Sequence, residues 1–119
     1  MGHAVKGRSH AGKLDAAIAG QVAETMQALA TASRVRILGR LRESPCSVGE
    51  LSAAVGMEQS AVSHQLRLLR HLGLVIGERS GRQIVYELHD SHVADLLDQA
   101  IYHIEHVRLG YTERVEEAS

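Results

Sequence analysis

Four side chains that can bind a metal ion lie in one C-terminal segment: Asp90, His92, His103 and His106. At about 100° per residue in an α-helix, the three imidazoles fall within roughly 60° of one another and share one side. His92 and His103 are separated by about 16 Å along such a helix, whereas ligands of one metal ion must lie within roughly 4 Å of each other. One chain therefore cannot close this site.

A second copy of the helix would complete the site. An antiparallel copy, related by a twofold axis near residue 98, places Asp90 and His92 beside His103 and His106 of the partner subunit, twice over. The spacing thus predicts a homodimer with two equivalent intersubunit metal sites. The alternative is a set of ordinary solvated histidines, but three on one face with an aspartate at the helix start favour metal ligands.

The segment around these ligands has the periodicity of an amphipathic helix. Asp90 or Ser91 can cap its N-terminus. Apolar residues recur at three- and four-residue steps and form one continuous stripe: Val93, Leu96, Leu97, Ala100, Ile101 and Ile104. The same helix therefore suits both dimer formation and metal binding.

Composition predicts one soluble domain. The chain has 119 residues, 45% of them hydrophobic, with no Phe or Trp, so we expect a core of Leu, Val, Ile and Ala. No apolar run is long enough for a membrane span and no signal peptide is visible, so a cytoplasmic protein is expected. The single cysteine, Cys46, excludes an intrachain disulfide framework and is expected to be a half-buried small hydrophobe.

Charge is distributed unevenly along the chain. Residues 34–88 contain eight Arg against five Glu, whereas residues 89–119 contain two Arg against seven acids. This asymmetry suits a central segment that meets a polyanion and a terminal segment that meets a cation, although solvated charged faces would explain it almost as well.

The chain starts with a glycine- and histidine-containing segment, residues 1–13, which lacks apolar periodicity and is expected to be a flexible arm. Removal of Met1 would leave the Gly2 amine beside the His3 imidazole, a ready nitrogen chelate. An accidental histidine in an ordinary terminus is the alternative.

The middle of the chain has the pattern of a helix-turn-helix. Helical spacing from Leu14 to Leu29 predicts a first helix, Thr31 can cap a second that stops at Ser44-Pro45, and Ser47 can cap a third that ends at Gly56. The following helix ends at Gly73 and has a polar, exposed N-terminal side. Such helices meet base edges and phosphates by their first turns, here with Gln59, Ser60, Ser63, His64 and Arg67.

A β-hairpin follows this helix. Two β-rich runs, 74–76 and 84–88, flank a turn predicted at residues 78–82. Arg79 and Arg82 are expected at the tip, where they would contact the DNA backbone without reading sequence. The predicted fold is therefore mostly α with a β-hairpin wing. Residues 14–109 form the winged helix-turn-helix domain with dimerising first and last helices, and residues 110–119 form a frayed tail.

Three segments, LATASRVRILGRL, SAVSHQLRLLRHLGLV and ERSGRQIVYELHDSHV, resemble the ArsR/SmtB family of winged-helix, metal-responsive repressors, over nearly the whole chain. The MGH start and the ending DSHVADLLDQAIYHIEH look most similar to nickel- and cobalt-responsive members. The resemblance implies a homodimer whose apo form binds an operator palindrome in double-stranded DNA and whose metal-bound form releases it. It also implies ligands at Asp90, His92, His103 and His106, with Gly2 and His3.

The chain departs from the family pattern at some positions. Arg108 and Val115 stand where nickel- and cobalt-responsive members have further histidines, so any role of those residues does not carry over. The third helix has no cysteine for the thiolate site of other members, and Ala32 stands where many members have Pro.

Ligand number bears on which metal is the effector. The four last-helix ligands alone suit tetrahedral zinc. Adding Gly2 and His3 gives up to six N/O ligands, which suits Ni(II) or Co(II). A zinc-responsive repressor and a winged-helix regulator that does not respond to metal are the alternatives. An enzyme is not expected, because no nucleophile–base pair or phosphate-binding loop is visible.

Overall fold

The computed structural model describes the backbone of residues 14–118 and the side chains of residues 14–110. The predicted N-terminal arm, residues 1–13, lies outside the described residues. In the described part, five helices and three strands follow one another: α1 (Ala16–Ala28), α2 (Ala32–Glu43), β1 (Cys46–Ser47), α3 (Val48–Val55), α4 (Gln59–His71), β2 (Val75–Ser80), β3 (Gln83–Leu88) and α5 (Ser91–Ala118). The predicted mostly α fold with a β-hairpin wing is confirmed.

Helix boundaries follow local capping chemistry. The Thr31 side chain accepts a hydrogen bond from the backbone N–H of Arg34 and caps α2. Ser47 and Glu50 form a reciprocal capping box at the start of α3, with distances of 3.2 and 2.8 Å. Gly56 ends α3 with φ 69°, a left-handed conformation that glycine adopts without steric cost. These predicted boundaries are confirmed.

The wing is a tight hairpin with an additional short strand. β2 and β3 pair antiparallel with Ser80 opposite Gln83, so the turn contains only Gly81 and Arg82 and is shorter than the predicted 78–82. Gly81 has φ 65°, as such a two-residue turn requires. β1, which sequence patterning did not predict, pairs with β3 and anchors the hairpin to the helical core.

The core is aliphatic and lies between α2, α3, α4 and the base of the sheet. Its fully buried side chains include Ile37, Leu38, Leu51, Val62, Leu66 and Leu69. Cys46 is 0% exposed, so the expectation of a half-buried residue was wrong; pairing of β1 with β3 draws the thiol inward. Burial raises the pKa of Cys46.

The apolar stripe of α5 is divided between two environments. Val93 and Leu97 pack into the core of their own chain, at 6% and 4% exposure. The remaining large aliphatic side chains of α5 face outward: Leu96, Ile101, Ile104, Val107 and Leu109. Apolar side chains at the start of the chain and along α1 also face outward: Leu14, Ile18, Val22 and Met26. Contiguous exposed apolar faces of this size mark a surface that a partner covers.

α5 is longer than predicted. Its backbone is helical through Ala118, whereas the sequence predicted a frayed tail from residue 110. The predicted tail began at Gly110, and glycine has low helix propensity, but a single glycine within a helix is tolerated. In the described range 14–118, none of the helices has the length and apolar character needed to span a membrane.

Candidate functional site

The described residues carry two candidate sites, a DNA-facing surface on α4 and the wing, and a ligand-bearing face on α5. In α4 the side chains of Val62, Leu66 and Leu69 are buried, which turns the opposite face of the helix to solvent. Four of the five predicted contact residues are exposed: Gln59, Ser60, His64 and Arg67. The fifth, Ser63, is partly buried. The structure therefore brings the predicted set together on one accessible helix face.

The turn before α4 is held by side-chain and backbone bonds. The Ser52 hydroxyl donates to the Met57 carbonyl oxygen, and the Met57 N–H donates to the Ser52 carbonyl oxygen at 3.2 Å. Together with the left-handed Gly56, these bonds set the direction in which α4 leaves α3. The helix-turn-helix geometry is thus encoded locally.

The wing presents both predicted arginines, at different positions. Arg82 is a turn residue and exposed, as predicted. Arg79 lies within β2 opposite Ile84, so its predicted place at the tip was wrong. The difference arises because the two-residue turn extends the strands further than the sequence suggested. Arg79 is nevertheless exposed and remains on the wing.

Asp90, a predicted metal ligand, has a structural role at the start of α5. Its Oδ1 accepts hydrogen bonds from the backbone N–H groups of His92 at 2.9 Å and Val93 at 3.3 Å, so it is the N-cap. Its Oδ2 lies 3.1 Å from Nδ1 of His89, a neighbour that the sequence interpretation missed. The His89 contact is the main reason that the pKa of Asp90 lies below its ordinary value, which keeps the carboxylate in the ionised form that metal binding requires.

The imidazoles of α5 are accessible. The His92 side chain is 89% exposed, and its Nδ1 lies 3.5 Å from Asp90 Oδ1. His103 and His106 are exposed further along the same helix. The ring of His106 stacks on Tyr102, with centroids 5.9 Å apart and 26° between the planes. The three imidazoles are thus accessible to a further group.

The described part of one chain does not gather a complete metal site. Among residues 14–110, no three or more His, Cys, Asp or Glu side chains lie close enough together to hold a metal ion. The structure brings Asp90 and His92 together and places His103 and His106 apart from them; Gly2 and His3 lie outside the described residues. The donors themselves, one carboxylate and three imidazoles, fit zinc, nickel or cobalt.

Two arginine contacts connect α2 to the candidate sites, and neither was predicted. Arg34 Nε donates to Gln65 Oε1 of α4 at 2.7 Å, and its Nη1 donates to the Gln27 carbonyl oxygen of α1 at 3.3 Å. Arg42 makes two hydrogen bonds of 2.6 Å to the Asp98 carboxylate of α5. Because these partners are 31 and 56 positions apart, local sequence patterns contain no signal for them.

Comparison with known proteins relates this geometry to a family. Residues 31–76 match the family described as bacterial regulatory protein, arsR family. Over 115 residues the chain is 61% identical to the HTH-type transcriptional regulator NmtR of Mycobacterium tuberculosis, and the match covers 96% of each chain.

Two solved structures are similar to the fold. The solution structure of apo-NmtR gives a TM-score of 0.67 with 66% sequence identity and covers 78% of each chain. The homodimeric winged helix-turn-helix DNA-binding domain of Mb0332 from Mycobacterium bovis gives a TM-score of 0.73 with 32% identity, over 79% of this chain and 88% of that one. The resemblance inferred from the sequence motifs is confirmed: the chain belongs to the arsR family of bacterial regulatory proteins.

Proposed function

We propose that the protein is a metal-responsive transcriptional repressor. The apo homodimer binds an operator palindrome, and Ni(II) or Co(II) releases it, which derepresses genes for metal efflux or resistance. The observation that carries this proposal is the divided ligand set of α5, with Asp90 and His92 at one end and two exposed histidines roughly three to four turns further on. It lies in the same chain as an exposed recognition helix, and the similar protein NmtR is a transcriptional regulator.

The dimer forms through α1 and α5. Both helices expose apolar side chains, such as Ile18 at 37%, Met26 at 61% and Ile104 at 56% exposure. Burial of this apolar surface in a dimer interface is favourable. An antiparallel pairing of the two α5 helices covers this surface and brings the Asp90 end of one helix to the His103 end of its partner. The homodimeric state of the similar Mycobacterium bovis domain supports the formation of a homodimer.

Metal binding uses the residues of this dimer. Asp90 and His92 supply two ligands, and His103 and His106 of the partner subunit supply two more. The Gly2 amine and His3 add two nitrogen ligands from the arm. A set of up to six N/O donors without thiolate favours nickel or cobalt. The bound ion would supply a cross-link between subunits, not a reaction, so the protein is a cytoplasmic regulator rather than an enzyme.

A zinc-responsive repressor is the second candidate. The four α5 ligands form an N₃O set that suits tetrahedral zinc without help from the arm. The two candidates share the DNA-binding mode and differ only in whether Gly2 and His3 bind the metal.

Titration of operator DNA tests the function. Fluorescence anisotropy with the protein's own promoter should show tight binding by the apo protein and roughly 5- to 150-fold weaker binding with saturating nickel or cobalt, the range of a coupling of about 1–3 kcal/mol. Addition of a chelator should restore binding. Unchanged affinity with every metal would identify a winged-helix regulator that responds to another signal.

The recognition helix and the wing should respond differently to mutation. Ser63→Ala or His64→Ala should cost about 1–3 kcal/mol of operator affinity because these side chains project from the exposed start of α4, whereas Arg79→Ala or Arg82→Ala should weaken binding to all sequences and flatten the salt slope by about one unit. The measurement is anisotropy on operator and scrambled DNA over a salt series.

The matched control for these variants is Arg70→Ala, which removes an exposed arginine from the last turn of α4. Wild-type operator affinity in the Ser63 and His64 variants would show that the start of α4 does not contact the operator. Loss confined to operator DNA in the wing variants would show that the wing reads sequence.

A further inference from the structure

We propose that the Arg42–Asp98 ion pair is a positioning device that transmits the state of the α5 ligands to the recognition helix. This inference rests on the proposed function and identifies the contact by which metal binding would alter DNA affinity. The pair lies outside the ligand set and outside the DNA-facing surface. It is the point at which a charged side chain of α2 grips α5.

We call the Arg42–Asp98 pair the clasp, because its two hydrogen bonds hold α5 against α2. Two of the three guanidinium nitrogens, Nε and Nη2, donate to one carboxylate oxygen each at 2.6 Å, a bidentate arrangement that fixes orientation as well as distance. Hydrogen bonding from Arg42 lowers the pKa of Asp98, so the carboxylate stays ionised. The two side chains are 44% exposed, and surface pairs of this kind contribute little to folding stability. The contribution of the ion pair is therefore to the position of α5 relative to α2.

Asp98 occupies a distinct side of α5. In sequence it lies midway between the Asp90–His92 pair and the His103–His106 pair. At about 100° per residue, its direction differs from those of the three histidines by roughly 80–140°. Between these two sides lie Val93 and Leu97, which pack into the core. α5 is therefore held by its buried stripe and by the clasp on one side, while the metal would act on the other.

α2 extends from this clasp to the recognition helix. Arg34, eight residues before Arg42 and about 12 Å away along the helix, donates to Gln65 of α4 and to the carbonyl oxygen of Gln27. One rigid helix thus bonds α5 at its C-terminal end and α1 and α4 at its N-terminal end.

The consequence for regulation is mechanical. A metal that cross-links two α5 helices changes how they pair, and this affects DNA binding only if each winged helix moves with its own α5. The clasp meets that requirement, because it prevents rotation of α5 about its own axis relative to α2. The change in α5 pairing then becomes a change in the separation of the two α4 helices, which must match about one turn of DNA, roughly 34 Å. Without the clasp, part of the change would be absorbed by rotation of α5.

The test separates coupling from binding. Arg42→Gln and Asp98→Asn remove the ion pair at an exposed position, so both variants should fold and dimerise. Calorimetry should give nickel affinity of the DNA-free protein within about threefold of wild type, and anisotropy should give apo operator affinity within the same margin. The factor by which nickel weakens operator binding should fall at least fivefold from the wild-type value, within the range expected for such couplings.

Two further variants distinguish a clasp from a general charge effect. Asp95→Asn removes an exposed acid from the preceding turn of α5 and should keep the wild-type factor. The double exchange Arg42→Asp with Asp98→Arg restores an ion pair with reversed polarity and should recover most of the coupling that either single exchange loses. Recovery of this kind would show that the interaction between the two side chains, and not either side chain alone, carries the coupling.

The remaining outcomes overturn the inference. Full nickel-driven release by Arg42→Gln and Asp98→Asn would show that the pair carries no coupling. Loss of nickel affinity in the DNA-free variants would show that the pair supports the metal site itself. Failure of nickel, cobalt and zinc to release the wild-type protein would instead contradict the proposed function, and that result is seen before any variant is made.

Discussion

Mixed dimers that combine a His92→Ala chain with a His103→Ala chain will bind one metal ion tightly per dimer, whereas neither variant homodimer will bind metal with wild-type affinity. In the mixed dimer both substitutions fall in the same pocket, so the other pocket keeps all its ligands. In each homodimer both pockets are damaged. We expect the homodimer affinity to fall more than about 100-fold, because even partners outside the ligand set cost 10- to 100-fold.

The measurement needs dimers of defined composition. Two affinity tags and sequential purification isolate the mixed dimer, and calorimetry with nickel then gives stoichiometry and affinity. His71→Ala is the matched control, since His71 is exposed at the end of α4 and away from α5. Wild-type metal affinity in both homodimers would rule out the antiparallel pairing of α5. A mixed dimer without a tight site would show that the ligands of one pocket are not divided between the two subunits as proposed.

Substitution of His3 by Ala, or insertion of one residue before Gly2, will weaken nickel binding about tenfold or more and leave zinc binding nearly unchanged. Nickel uses six ligands and loses an imidazole or a correctly placed amine, whereas zinc is satisfied by the four ligands of α5. Apo operator affinity should not change, because in the proposed site the arm contributes only metal ligands. Nickel-driven release should weaken in parallel with nickel binding.

Calorimetry with both metals, run beside an operator titration, measures this difference. His10→Ala is the control, since His10 belongs to the same arm but stands outside the proposed chelate. Equal losses for nickel and zinc would assign the arm to a general role in the site. No loss for either metal would remove Gly2 and His3 from the ligand set and favour the zinc-responsive alternative.

The features that the sequence predicted correctly are those that depend on near neighbours. The cap of α2 at Thr31, the capping box of Ser47 and Glu50 and the left-handed Gly56 involve residues within four positions of one another. The amphipathic face of α4 follows from the helical repeat alone. Since the exposed residues of α4 are the complement of its buried ones, the candidate DNA surface could be predicted along with the fold.

The features that the sequence missed depend on distant parts of the chain. β1 has two residues, too few for a recognisable alternation, and forms only because β3 offers a free edge. The stripe of α5 was correctly identified as apolar, but its division between core and exposed surface depends on which residues α2 and β3 cover. The pairing of Arg42 with Asp98 spans 56 positions. In each case the determining partner is set by the tertiary fold.

The burial of Cys46 has a practical and a chemical consequence. Thiol reactivity requires an accessible thiolate, and this thiol is 0% exposed with its pKa raised by burial. Maleimides and other thiol-specific reagents therefore have no ready target in the folded wild-type chain, which contains no other cysteine. A cysteine introduced on the wing or at the start of α4 would be the sole reactive position, and a pair of fluorophores attached there, one per subunit, would report the distance between the two DNA-binding surfaces without removal of the native residue.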